Sequence, residues 1–334
     1  MKPSAPSFQR PLLMALLASA PLVLSAGAPG PAGYAPELAG AVARLDGEVR
    51  AKGLGFTVGL NPAMQYELDQ LCGTRMELRP AGDEARAEGG YLNFEMTEPE
   101  ATVVYPKAYV GWFSTVKDQG HCGSCWDFST IATLEAAALK KHGAPRGKVN
   151  ANGTITTSGD LTILSEQQVL SCNPFGYGCQ GGYYAFDMLM PQNAGQSGYY
   201  QGAIPASAFP YVGQQNSCSF SATASYTPVS QWGYVGSGYG IPSTYAIKAA
   251  IYKWGSVSAC VAADSYFQAY TGGVFSSPNH ATSINHAINL VGWDDAKGAW
   301  LLKNSWGPRW GIDGFMWINY GSSLVGTSPA WCLN

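Results

Sequence analysis

The chemistry-bearing residues concentrate around Gln119-Gly120-His121-Cys122-Gly123-Ser124-Cys125-Trp126. A thiol is a strong nucleophile only as the thiolate. Cys125 opens a run in which Phe128, Ile131, Ala132, Leu134, Ala138 and Leu139 recur at helical spacing, and Gly143 closes it. The spacing predicts a helix over 125–141. Unpaired backbone N–H groups at a helix start favour negative charge, so this position lowers the pKa of Cys125. Cys122 and Cys125 also have the C-x-x-C spacing of a dithiol redox pair. That chemistry needs a strand leading into the motif, and Thr115 to Gly120 does not read as one. No second C-x-x-C and no spaced histidine pair is present, so no metal site is expected. Nucleophilic catalysis and dithiol exchange are the two chemistries these residues leave open.

Two later segments bear on the choice: Asn285-His286-Ala287-Ile288-Asn289-Leu290-Val291-Gly292-Trp293, and Lys303-Asn304-Ser305-Trp306-Gly307 with Trp310, Gly311 and Gly314. Together with Cys-Gly-Ser-Cys-Trp they resemble the three motifs of the papain-like cysteine peptidases, in that family's order of Cys, His and Asn. The resemblance covers residues 103–320. It implies an α+β, papain-like fold with a helical left half, a β-rich right half and the active-site cleft between. It further implies that Cys125 is the nucleophile of peptide-bond hydrolysis and that His286 is its acid–base partner. Asn304 would orient the imidazole, with Trp306 covering that hydrogen bond. Gln119 and the backbone N–H of Cys125 would form an oxyanion hole. His121, His142 and His280 lack such context and read as surface residues.

The same resemblance implies a substrate cleft. Gly181 and Gly182 would pair with an extended peptide backbone, with Asn285 beside the catalytic histidine. Tyr183, Tyr184, Cys260, Ile284 and Ala287 would line the pocket for the second residue before the scissile bond. No charge stands at these positions, so an apolar or aromatic side chain is expected there. The family pairs Cys122 with Cys179 and Cys172 with Cys218. Of the eight cysteines, Cys260 and Cys332 both lie in late strand-like segments, and secretion favours their pairing as well. Cys72 is left free or removed with the leader.

The elements that position these residues follow from periodicity and punctuation. Lys2 and Arg10 precede an apolar run from Leu12 to Leu24, followed by small residues, which reads as a secretory signal peptide over 1–26. Secretion to an extracellular or periplasmic space follows, with no membrane span after signal removal. Residues 27–102 read as a propeptide and 103–334 as the catalytic domain, with maturation between about 97 and 107. The first hundred residues hold 12 of the 22 acids and 8 of the 19 bases, so a cut there separates an acidic leader from a nearly neutral body. A helix is expected over 37–54, a short strand over 55–60 and a second short helix over 63–71. Phe56-Thr57-Val58-Gly59-Leu60-Asn61 resembles the later part of a papain-type inhibitory propeptide, but the long patterned helix before it is absent. In the body, helices are expected from Ser165 and over 183–190, a loop over 144–160, and short strands from about 230: 257–262, 287–293, 299–303 and 314–318.

A net charge of −3 gives no basic footprint for nucleic acid and no polybasic membrane patch. The expected partners are protein or peptide substrates and the chain's own propeptide; the expected state is a monomer, and no cofactor is implied. Two departures from the family stand out. Asp127 replaces a small residue one turn into the catalytic helix, where its charge would oppose the thiolate unless a polar partner holds it. The Cys125-to-His286 separation of 161 residues exceeds the family's roughly 130–150, which the polar stretch 143–162 explains. That stretch also carries a glycosylation sequon, Asn152-Gly153-Thr154.

Overall fold

The computed structural model describes residues 34–79, 105–144, 146–158, 163–221, 225–236, 238 and 240–334. The signal segment, the acidic connector and most of the expected maturation boundary lie outside the described residues.

The right half is one large antiparallel-rich sheet. Its central strand, His286–Asp294, is buried along nearly its whole length. A continuous apolar run with both faces covered reads as an interior strand. It pairs antiparallel with Val257–Val261 on one side and Ala299–Lys303 on the other. Thr327–Leu333 extends the sheet beyond Val257–Val261, and Gln231–Tyr234 lies beyond that. On the opposite side Phe315–Asn319 and Tyr270–Phe275 follow.

The long helix Cys125–Lys141 is docked against the strands His286–Asp294 and Val257–Val261. Small polar side chains make that seam. Ser129 Oγ donates to Ile288 O at 2.8 Å, Asn289 Nδ2 donates to Thr133 Oγ1 at 2.7 Å, and the Thr133 and Ser258 hydroxyls lie 2.6 Å apart. Larger residues there would hold helix and sheet apart. Because the seam runs up to His286, it sets the distance between the helix start and the histidine.

The leader is part of this architecture. Helix Pro36–Ala51 leads into strand Phe56–Val58, which adds to the sheet edge by pairing with Tyr270–Phe275. The expected helix over 63–71 is instead a 3-10 turn, Pro62–Gln65, and one α turn, Leu68–Leu71. Gln268 Nε2 takes the Ala63 and Tyr66 carbonyls at 3.0 and 2.9 Å, acceptors that a continuous helix would need for itself. The expected helix over 183–190 shrinks to a 3-10 turn, Phe186–Leu189. Here the Tyr183 and Tyr184 rings are drawn into the core and Ala185 N bonds to Thr130 Oγ1. The loop expected over 144–160 contains a small hairpin, Gly147–Val149 with Ile155–Thr157. Helix Thr244–Trp254 interrupts the expected run of strands. Its signals are local: Ser243 Oγ caps Ala246 N, and Gly255 ends it at φ 103°.

Candidate active site

Cys125 is the first residue of its helix and is fully buried. Burial works against its thiolate. The His286 ring, the Thr74 hydroxyl and the Ala287 backbone N–H more than offset that penalty, and the thiol is lowered to about 7. His286 Nε2 lies 2.8 Å from Asn304 Oδ1, which also accepts from Ser305 N at 2.8 Å. His286 Nδ1 has no hydrogen-bond partner among the described residues, and it is the ring nitrogen left for proton exchange. Trp306 packs its ring 4.7 Å from the imidazole and is itself wedged against Phe267. Both His286 and Asn304 come from the sheet: His286 starts its central strand and Asn304 follows the neighbouring strand.

Gln119 is fully buried beside them. Its Oε1 accepts from Ser305 Oγ at 2.6 Å, which fixes the amide so that Nε2 faces the cleft. Nε2 donates to Cys122 O at 2.8 Å and to Leu71 O at 2.9 Å. A leader carbonyl therefore occupies the donor expected to receive an oxyanion. The next residues continue across the site. Gly73 N donates to Cys125 Sγ at 3.2 Å, and the Thr74 hydroxyl lies 3.1 Å from the same sulfur. Thr74 N donates to Asn285 O, Gly182 N donates to Gly73 O, and Arg75 N donates to Gly182 O. Gly182 cannot carry a side chain, because a Cβ would lie 2.6 Å from the Trp126 ring. At Gly181, with φ 129°, a Cβ would meet Gly73 O at 2.8 Å.

The pocket residues cluster behind these glycines. Tyr183, Tyr184, Cys260 and Ala287 are buried together, with Ile284 at the rim. The Tyr184 hydroxyl lies 3.3 Å from Cys260 Sγ. Sequence reasoning found no charge here. The leader brings one: Arg79 lays its guanidinium 4.4 Å from the Tyr234 ring centroid and 6.0 Å from that of Tyr183.

Cys122 is joined to Cys179 and Cys172 to Cys218. The expected Cys260–Cys332 bridge is not formed, and both thiols are free. The register is the reason. Cys260 lies opposite Thr327 while Cys332 lies opposite Trp232. Ala330 lies opposite Ser258, so past the register shift Cys332 is offset from Cys260 by about four residues, about 13 Å, far beyond the roughly 7 Å a disulfide spans.

Asp127 is fully buried, and neither carboxyl oxygen has a hydrogen-bond partner among the described residues. Burial first, then the nearby Glu166, hold its carboxyl well above the usual range, while Lys117 pulls the other way. A protonated Asp127 places no second negative charge beside the thiolate. Of the alternatives raised by the sequence, no hydrogen-bonding partner meets the carboxyl among the described residues, and the Cys125 thiolate is itself one of the charges that raise it. Because the folded value is raised, the associated stability is complete below about pH 4, the unfolded carboxyl value, and is lost as pH rises through the folded value. Asp127→Asn, which cannot ionise, is expected to lose less stability than the wild type between about pH 4 and pH 7. Urea midpoints at the two pH values check this; equal losses in both proteins would refute it.

Sequence reasoning missed the leader contacts, Cys72 to Arg75, because no motif marks a segment whose role is set by where it lies. It also missed a charge cluster behind the site, in which Glu135, Glu166 and Lys303 are buried and Lys117 is partly so. Among the described residues no group of His, Cys, Asp and Glu is arranged to hold a metal ion.

Comparison with known proteins agrees with this geometry. Residues 106–330 match the model of the papain family cysteine proteases. Cathepsin K of Mus musculus is 34% identical over 209 residues, which is 61% of this chain and 56% of that protein. Fruit bromelain of Ananas comosus is 33% identical over 218 residues, 64% of this chain and 53% of that one. The chain thus spans little more than half the length of these relatives. Among solved structures, the digestive procathepsin L2 proteinase of Tenebrio molitor larval midgut superposes with a TM-score of 0.71 at 24% identity, covering 89% of this chain and 90% of that one. With the family model covering most of the chain, and the cysteine, histidine and asparagine meeting at one cleft, the chain belongs to the papain family of cysteine proteases.

Proposed function

We propose that the chain is the proenzyme of a secreted cysteine endopeptidase, in which Cys125, His286, Asn304 and Gln119 hydrolyse peptide bonds. The observation that carries this reading is the leader in the cleft. Gln119 Nε2, Cys125 Sγ, Gly182 and Asn285 O, the groups a bound peptide would need, are each bonded to residues 71–75. In the mature enzyme the Cys125 thiolate attacks the scissile carbonyl. The oxyanion is met by Gln119 Nε2 and the backbone N–H of Cys125 at the helix start. His286, held by Asn304 and shielded by Trp306, gives its proton to the leaving amine, then takes one from the water that releases the acyl group. Secretion is supported by the composition of residues 1–26. No helix of the described residues is long and apolar enough to cross a membrane.

The leader is not a substrate, for a geometric reason. Thr74 and Gly182 form a parallel bridge, and an N–H, that of Gly73, faces the sulfur where a carbonyl carbon would have to stand. The fit leaves no room for a side chain: a Cβ on Gly73 would lie 1.7 Å from Gly123 O. Gly73→Ala in the full-length chain is therefore expected to weaken the leader's hold by about 1–3 kcal/mol, the usual range for overpacking. That raises the rate at which a small thiol reagent labels Cys125 roughly 5- to 150-fold. An unchanged labelling rate would refute the contact as a seal.

The reading as a whole is tested with an epoxysuccinyl thiol-protease inhibitor on processed protein. Stoichiometric labelling of Cys125 with loss of peptide cleavage is expected. Absence of both labelling and turnover in processed, reduced wild type would sink the proposal. Dithiol exchange through Cys122 and Cys125 is disfavoured by the Cys122–Cys179 bond.

A further inference from the structure

Four thiols are free among the described residues: Cys72, Cys125, Cys260 and Cys332. Cys260 and Cys332 are sealed in the core. Cys72 differs from them in two ways. It is half-buried and lines an open surface groove with Leu68, Thr74, Arg75, Ile284 and Asn285. It also precedes the residue whose N–H touches the nucleophile. Gly73 N lies 3.2 Å from Cys125 Sγ, and Cys72 Cα is one peptide unit back, about 2.4 Å from that nitrogen. Cys72 Cα therefore lies within about 5.6 Å of the Cys125 sulfur, and the two Cα atoms within roughly 8.4 Å at most. A disulfide asks for about 4.4–6.8 Å between Cα atoms, so a backbone shift of at most about 1.6 Å brings the pair into range. Cys72 is pushed up by burial first and then by the nearby Cys125.

We propose that Cys72 and Cys125 are a thiol pair at which the proenzyme takes up an intrachain disulfide, so that the leader is held by a covalent latch as well as by its contacts. The inference rests on Cys125 being the nucleophile that the leader covers. The oxidant is a low-molecular-weight disulfide such as oxidised glutathione. The Cys72 thiol reaches it through the groove, gives up its proton to solvent and attacks one sulfur, expelling one glutathione thiolate. The Cys125 thiolate then attacks Cys72 Sγ and expels the second. Two protein thiols are oxidised and one glutathione disulfide is reduced to two thiols. Cys125 suits the second step, since its thiol titrates near neutrality. The functional consequence is a double requirement. A chain cut anywhere in the connector keeps its leader attached until a thiol reductant frees Cys125.

The test uses the full-length protein and its Cys72→Ser variant, each incubated with oxidised glutathione, quenched with acid and mapped by mass spectrometry without reduction. The wild type is expected to give a cross-linked peptide joining the Cys72 and Cys125 segments, lower in mass by the two thiol hydrogens and separated by dithiothreitol. The variant should give none, while Cys122 stays joined to Cys179 in both. Recovery of Cys72 and Cys125 as free thiols or as separate glutathione adducts would overturn the proposal. So would Cys72 joined to Cys122 or Cys179. The nucleophile reading is scored separately, by epoxysuccinyl labelling of processed, reduced enzyme. Labelling there without the cross-link defeats only the latch; no labelling there defeats the reading beneath it.

Discussion

His286→Ala is expected to lower kcat/KM of the processed enzyme on a peptide substrate by roughly 10⁴- to 10⁶-fold, the range for removing a member of a catalytic triad. Two separate losses combine. Cys125 is fully buried, and burial alone pushes its thiol up. The imidazole is the largest influence opposing that, so without it the thiolate fraction at neutral pH falls. The leaving amine also loses the proton donor assigned to it. The histidine's position explains why no neighbour substitutes for it. Nε2 is engaged by Asn304 Oδ1 at 2.8 Å, Trp306 closes one face at 4.7 Å, and only Nδ1 is left for the reaction. The two losses separate in a pH profile of alkylation by iodoacetamide, which needs the thiolate but no proton donor. The variant's profile is expected to shift to higher pH. Above that shifted value alkylation recovers, while peptide hydrolysis does not. A variant that hydrolyses peptides within tenfold of the wild type would contradict the role assigned to His286.

The parts of this site that the sequence disclosed are those in which chemistry and local structure coincide. The thiol at 125 is informative because a helix must begin there, and the helix Cys125–Lys141 is bounded as its apolar spacing and Gly143 require. Gln119, His286 and Asn304 sit within motifs whose neighbours are also constrained, such as Trp306 and Gly307. What stayed hidden was set by register and by contacts distant in sequence. Cys260 and Cys332 both lie in strands, but which residues face each other depends on the pairing of Thr327 with Cys260, which neither strand encodes alone. Tyr183 to Met190 has helical spacing, yet Gly182 just before it is bonded to the leader at Gly73 and Arg75, and Thr130 takes the Ala185 N–H. Leader residues 63–71 have helical propensity too, and Gln268 of the catalytic body outcompetes the helix for its carbonyls. In each case a partner some 50 or more residues away decides the local conformation.

The charged cluster behind the catalytic helix is the clearest case of that kind, and it carries the second large prediction. Lys117 Nζ lies 2.7 Å from Glu135 Oε1, 2.5 Å from Glu166 Oε1 and 2.9 Å from Leu164 O. Glu135 also accepts from Leu164 N at 2.8 Å and from the Ser114 hydroxyl, which in turn accepts from Lys303 Nζ at 2.8 Å. Each residue comes from a different element: Glu135 from the helix that begins at Cys125, Glu166 from the helix Glu166–Cys172, and Lys303 from the strand end next to Asn304. Burial opposes the charges of Lys117, Glu166 and Lys303. It brings Lys303 down to about 8, whereas Lys117 is held above its ordinary value by the two carboxylates despite burial. The cluster is thus tolerable only as a whole. Glu135→Ala leaves a buried cation, Lys303, and a partly buried one, Lys117, facing one carboxylate, and breaking a buried pair in this way costs about 3–5 kcal/mol. Urea unfolding of the full-length variant is expected to show that loss. A companion variant that also replaces Lys117 with methionine should recover part of it, since it removes one stranded cation. Activity should fall further than stability alone explains, because the cluster ties the Cys125 helix to the strand that carries Asn304. A Glu135→Ala protein within 1 kcal/mol of the wild type would mean that these charges are solvated rather than interlocked.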